Sequence, residues 1–158
     1  MEKKLKIGIT QGDINGVGYE VIFKTFENAE MFDICTPIVF GSPKAAAYHR
    51  KALEMETPYN AIEKASDAQA GKLNIVNCND DELHIELGCS SPEAGLAAFQ
   101  ALEKAVEAYK NGEIDKVFTT NLIYRMPGLL ERDWYWEVDM SKYISLLIDT
   151  LNHDETIS

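Results

Sequence analysis

Three glycines and one acid stand between the first apolar run of the chain and its first helical pattern. In "KIGITQGDINGVGYEV", Lys6 to Val21, the glycines are Gly12, Gly16 and Gly18, and the acid is Asp13. Glycine lets a ligand and the backbone approach closely. A helix N-terminus offers unpaired N–H groups and a positive dipole end, which suit phosphate or carboxylate. The order G-x-x-x-G-x-G is neither the dinucleotide pattern G-x-G-x-x-G nor a P-loop, which would follow its last glycine with Lys where this chain has Tyr19. Two readings stay open: a ligand loop, or a tight strand-to-helix turn with Asp13 and Asn15 as turn residues. A carboxylate at position 13 opposes a bare phosphate. In the ligand reading Asp13 therefore faces a hydroxyl, an ammonium or a lysine, and orients a polar partner rather than acting as a general base. Thr10, Gly12, Asp13 and Gly16 are the candidate ligand-proximal residues.

The other residues with chemical potential are scattered. His49 lies in an alanine-rich helical stretch beside Arg50 and Lys51 and is read as a surface residue. His84 alternates out of the apolar side of its segment and is read as solvated, and His153 falls in the polar "NHDET". No two of them show metal-ligand spacing. Cys35, Cys78 and Cys89 are odd in number and widely spaced, with no CxxC pair, which fits reduced thiols in a cytoplasmic protein rather than a disulfide framework. The acid pairs Asp80–Asp81 and Asp154–Glu155 are read as solvated turns.

The elements that must position the glycine loop follow from periodicity. Leu5 to Thr10 alternates and reads as a strand, and Val17 to Ala29 places Val17, Val21, Ile22 and Phe26 at helical spacing. "CTPIVFG", Cys35 to Gly41, is a buried strand, with Gly41, Ser42 and Pro43 as its exit. Ser42 caps the next helix and Pro43 suits its first turn. Lys72 to Cys78 reads as a strand. Asp81 to Gly88 reads as a strand with Leu83, Ile85 and Leu87 on one side. The longest helix opens at Ser91–Pro92 and ends at Gly112, with Leu96, Phe99, Leu102, Val106 and Tyr109 as its apolar stripe. "IDKVFTTN" supplies another strand. Strands alternating with helices imply a layered α/β fold with a largely parallel sheet. After Thr120 the character changes: residues 121–158 hold both tryptophans, and a helix is expected from about Ser141 to Asn152, with Ile144, Leu147 and Leu151 as its apolar face.

The chain has 158 residues, enough for a genuine core, with 46% hydrophobic and 26% charged residues. A net charge of -11 argues against nucleic acid or an anionic membrane as main partner. No apolar run is long enough for a membrane helix or a signal peptide.

"ITQGDINGVGYEV" resembles the N-terminal motif of the 4-hydroxythreonine-4-phosphate dehydrogenase family, T-x-G-D-P-A-G-I-G-P-E. Thr10, Gly12, Asp13, Gly16, Gly18 and Glu20 match it, whereas Ile14, Asn15 and Tyr19 depart from it. "PIVFGSPKAAAYHRKAL" and "SSPEAGLAAFQALEKAVEAYKNGEIDKVFTT" resemble later segments of the family, so the likeness runs over residues 1 to about 120. It implies a three-layer α/β/α fold of the isocitrate and isopropylmalate dehydrogenase type, here incomplete, with Ile7–Thr10 central in a parallel sheet and a cleft over Gly12–Gly18. It further implies a homodimer that oxidises a small phosphorylated hydroxy amino acid with NAD and a divalent metal, with loss of carbon dioxide, on the way to pyridoxal phosphate.

The likeness stops where Asn121 stands in place of a family proline and Tyr124 near a family lysine. The family's G-H-T-E motif and its later metal-binding histidines are absent from the chain. The resulting expectation is an N-terminal α/β portion, residues 1–120, joined to a divergent and partly helical tail, 121–158. Such a chain is a truncated form that is inactive alone and leaves apolar surface exposed. The alternative is a non-catalytic α/β domain that keeps the glycine loop as a small-molecule or anion site.

Overall fold

The computed structural model describes residues 4–79, 83–120 and 128–152. They fall into two compact units, residues 1–115 and 116–158. The first unit holds β1 (Leu5–Thr10), α1 (Gly18–Glu27), α2 (Met31–Ile34), β2 (Cys35–Gly41), α3 (Pro43–Ala52), β3 (Tyr59–Ile62), β4 (Leu73–Asn77) and α4 (Pro92–Lys110). Its four strands pair in the order β1-β2-β4-β3, all parallel. Parallel strands need crossovers and covered faces, and the apolar residues sort accordingly into two clusters. Val39, Leu73 and Ile75 meet Tyr19, Ile22, Phe23 and Phe26 of α1 and Ala45 and Ala46 of α3. On the other side of the sheet, Ile38, Phe40 and Val76 meet Ala101 and Ala108 of α4. The expected α/β/α layering is present in this unit.

β2 is buried at every position, as its unbroken apolar run requires. Ser42 and Ser91 cap α3 and α4, each accepting a backbone N–H three residues on. Gly112 closes α4 at φ +70, a conformation that favours glycine.

Several expectations are corrected. β1 borders the four-stranded sheet instead of lying at its centre. Among the described residues of this unit its outer edge is met at Lys6, whose N–H donates to Asp115 Oδ2 (2.8 Å) and whose carbonyl accepts from Asp115 N–H (2.9 Å). Residues 83–88 are not a strand. Leu83 and Ile85 pack on the first cluster but Leu87 is exposed, because the segment is held by the glycine loop and not by a sheet neighbour. Most of the stripe of α4 faces outward: Leu96, Phe99, Leu102 and Val106 expose between 44% and 57% of their surface and only Tyr109 of the stripe packs on the second cluster, while Ala94, Ala97, Ala101 and Ala108 are buried. Small side chains let the helix lie close on the sheet, and this close approach overrides the hydrophobic stripe. Periodicity carries no sign of β3, because Tyr59–Ile62 is too short and mixed.

In the second unit, β5 (Val117–Thr120) pairs in parallel with β6 (Tyr135–Val138), and α5 runs from Ser141 to Asn152 as its pattern predicts. Ile144 is half-buried, but Leu147, expected on the same apolar face, is exposed, as are Tyr143, Leu146 and Ile148. His153, Asn121, Tyr124 and both acid pairs lie outside the described residues.

Candidate functional site

The glycine loop leaves the carboxyl end of β1 and enters α1, the edge at which open parallel sheets bind ligands. Gly12 adopts φ +66, and a Cβ built there would meet nothing within 4 Å. The backbone at Gly12 is thus open, and glycine is needed for its conformation. Gly18 is needed for space, since a Cβ would collide with the carbonyl of Gln11. No side chain caps α1 at Val17, which leaves its first turn available to an anion. Thr10 and Asp13 are exposed, and Gly12 and Gly16 are half-buried. The four candidate residues therefore share one loop surface.

Asp13 spends one oxygen on its own loop. Its Oδ1 accepts the N–H of Asn15 at 2.9 Å, and the Asp13 carbonyl accepts the N–H of Gly16 at 3.1 Å. This is the chemistry of a tight strand-to-helix turn, yet it leaves the carboxylate exposed, with no ion pair among the described residues. Among the described residues no lysine answers it.

The supports of the loop were not visible in the sequence. His49, read as a surface residue, is buried: its Nε2 lies 2.6 Å from the carbonyl of Ile14, and its ring packs on Tyr19 with centroids 5.4 Å apart. Helical phase puts His49 on the inward face of α3, beside Ala45 and Ala46. Asn15 ties the loop to the following segment, donating to the carbonyl of Cys89 (2.9 Å) and accepting the N–H of Glu86 (2.9 Å). Its own carbonyl accepts the N–H of Gly88 at 2.9 Å.

Gln11 is the buried centre of a polar knot at the ends of the strands. Its Oε1 accepts the Tyr19 hydroxyl and the Ser42 N–H, both at 2.8 Å. Its Nε2 donates to Asn79 Oδ1 and to the carbonyl of Ala97, both at 3.3 Å. The Tyr19 hydroxyl also lies 3.0 Å from the Ser42 carbonyl. Burial pushes the Tyr19 phenol well above its ordinary value, so it stays a hydrogen-bond donor. Gly41 makes the knot possible: a Cβ there would lie 2.5 Å from both Gln11 Oε1 and the Tyr19 hydroxyl.

His84 is exposed, as expected, and Cys89 is exposed while Cys35 and Cys78 are buried. Burial pushes the Cys78 thiol up to about 11, which makes it a poor nucleophile. Among the described residues no group of three or more His, Cys, Asp or Glu side chains could hold a metal ion, so these residues do not fit the divalent metal of the resemblance. No helix among them is long and apolar enough to cross a membrane.

Comparison with known proteins agrees with the α/β fold. Residues 33–123, more than half of the chain, match the family described as pyridoxal phosphate biosynthetic protein PdxA. Over 118 residues the chain is 55% identical to the 4-hydroxythreonine-4-phosphate dehydrogenase of Bacteroides thetaiotaomicron, covering 75% of this chain and 32% of that protein. The crystal structure of a 4-hydroxythreonine-4-phosphate dehydrogenase from Burkholderia phymatum superposes with a TM-score of 0.68 at 32% identity, covering 75% of this chain and 37% of that one. A Klebsiella pneumoniae structure of the same name, at TM-score 0.64 and 21% identity over 75% of this chain and 36% of its own, supports the fold. The chain spans about a third of the length of the curated relatives it matches.

Proposed function

The chain belongs to the PdxA family of pyridoxal phosphate biosynthetic proteins, and from that membership we propose that it carries the N-terminal α/β portion of an NAD-dependent oxidoreductase acting on a phosphorylated hydroxy amino acid. The observation that carries this reading is the 55% identity to a named dehydrogenase over 118 residues. In this reading Thr10, Gly12, Asp13 and Gly16 face the ligand. The open backbone at Gly12 and the uncapped start of α1 receive an anionic group, and the exposed Asp13 oxygen accepts from a hydroxyl or ammonium. NAD, when bound, supplies the hydride acceptor.

The described residues supply no metal-ligand cluster and the sequence lacks the G-H-T-E motif of the resemblance, so we infer that this chain alone binds without turning over. The same reading treats residues 121–158 as a divergent tail and expects a cytoplasmic homodimer. The test is an assay of the purified chain with NAD, 4-phosphooxy-threonine and a divalent metal, beside a thermal-shift screen of NAD and phosphate esters. A ligand-dependent shift that Asp13→Ala abolishes, with no NADH formed, is the expected result. Metal-dependent NADH production overturns the inactivity, and a shift that survives Asp13→Ala overturns the loop site.

A further inference from the structure

The peptide unit between Ile14 and Asn15 is held at both of its polar ends. Its carbonyl, on Ile14, lies 2.6 Å from Nε2 of His49, and its N–H, on Asn15, donates to Asp13 Oδ1 at 2.9 Å. Against a carbonyl the imidazole nitrogen acts as donor. The peptide is trans, so its C=O and N–H point in opposite directions. The carbonyl end is buried, with Ile14 0% and His49 4% exposed, whereas the N–H end meets the exposed carboxylate. His49 and Asp13 therefore grip the two ends of one rigid plane.

Other anchors fix the residues on either side of this plane but not the plane itself. The Ile14 side chain sits in the first core cluster, and the Asn15 carboxamide bonds the Glu86 N–H and the Cys89 carbonyl. A peptide plane turns about the line joining its two Cα atoms through coupled changes of two soft dihedrals, which leaves both side chains in place. The bond from His49 opposes that turn. A turned plane would carry the Asn15 N–H away from Asp13, and the carboxylate would lose the contact that sets its direction.

We propose that His49 is the positioning residue of the glycine loop. It touches no ligand; through the 14–15 peptide it aims the Asp13 carboxylate at a ligand hydroxyl or ammonium. Its action on a ligand rests on the reading that Asp13 faces one, whereas its hold on the peptide does not.

The experiment is NMR on the full chain, first without ligand and then in titration. Without ligand, His49→Ala should speed solvent exchange of the Asn15 amide by about tenfold. His49→Gln, whose side-chain N–H can serve the same carbonyl, should restore slow exchange. The titration uses glycerol 3-phosphate, which carries an anion and alcohol groups, beside inorganic phosphate, which has no alcohol. The wild type should bind glycerol 3-phosphate more tightly. His49→Ala should weaken that binding by about tenfold, the size of one charged hydrogen bond, and change phosphate binding by less than about twofold. His49→Gln should recover the wild-type preference. Ala101→Leu, which strains the second core cluster, should leave the preference intact and so separates aim from stability. Unchanged Asn15 exchange in His49→Ala, or an equal loss of both ligands, would overturn the proposal alone. A wild type that binds glycerol 3-phosphate no better than phosphate would overturn the loop site, and the ligand role of His49 with it, even where the Asn15 exchange responds to His49.

Discussion

The Nε2 atom of His49 lies 2.6 Å from the carbonyl oxygen of Ile14, so the second long helix of the sheet unit holds the middle of the glycine loop from below. Both residues are buried. The only hydrogen-bonding role left to Nε2 against a carbonyl is that of donor. Replacing His49 by Ala leaves the Ile14 carbonyl buried without its partner and removes the ring from Tyr19. The expected cost is about 1–3 kcal/mol, read from urea unfolding midpoints. A variant as stable as the wild type would show that the contact is not maintained in solution.

Tyr19→Phe tests the knot at Gln11. The phenol contacts Gln11 Oε1 and the Ser42 carbonyl and accepts the Ser42 N–H at 3.0 Å. Its removal strips one partner from each of three buried groups, although Ser42 N–H keeps Gln11. A loss of about 1–3 kcal/mol is expected. Gly41→Ala should be at least as damaging, because the new methyl meets Gln11 Oε1 and the Tyr19 hydroxyl at 2.5 Å, where neither can retreat into open space. Equal stabilities of Gly41→Ala and wild type would contradict this packing.

How far the sequence reveals this architecture differs from residue to residue. Strands β1, β2 and β4 and the Ser42 and Ser91 caps were legible because their signals are local: alternation, an unbroken apolar run, a hydroxyl before a proline. The glycine loop was legible as a loop, and its position on the ligand edge followed from strand then helix. What holds it was not. Gln11, Tyr19, His49 and Asn79 meet across separations of 8 to 68 residues, and no local pattern encodes such a meeting. Helix α4 misled for a different reason. Its largest apolar residues form the visible stripe, yet closeness to the sheet at β1 and β2 is decided by its alanines, which hydrophobicity ranks lower.

Asn15→Ala, a change toward the family pattern at this position, should loosen residues 83–89 without unfolding the sheet. Asn15 supplies two side-chain bonds to that segment, to Glu86 and Cys89, besides the backbone bond to Gly88. Faster amide hydrogen exchange at Glu86, and faster exchange or proteolysis across 83–89, is the expected outcome. Unchanged protection at Glu86 would mean that Leu83 and Ile85 anchor the segment alone.

Stability should fall as the solution becomes strongly alkaline. The Cys78 thiol has an ordinary value of 9.0 and is pushed up to about 11 by burial, and Tyr19 is shifted in the same direction by the same cause. Between those two values the unfolded chain releases the Cys78 proton and the folded chain keeps it. The unfolded state then binds fewer protons, so the stability present below pH 9.0 is progressively lost up to about pH 11. Urea midpoints measured across that window should drop less steeply for Cys78→Ala than for the wild type. Parallel slopes would rule Cys78 out as a contributor.

The two faces of α4 make opposite predictions for neighbouring residues. Ala101 is fully buried against the sheet, and Leu102 exposes 52% of its surface. Ala101→Leu forces three extra carbons between helix and sheet and should cost about 1–3 kcal/mol. Leu102→Glu places a charge in solvent and should shift stability by no more than about 0.5 kcal/mol. The same charge interrupts an apolar stripe shared by Leu96, Phe99 and Val106. A contiguous exposed patch of this kind promotes association, so Leu102→Glu and Phe99→Glu should lower the weight-average mass seen in sedimentation at high protein concentration. If Leu102→Glu unfolds the chain and Ala101→Leu does not, α4 lies on the sheet by its large residues after all, and the orientation of the helix is wrong.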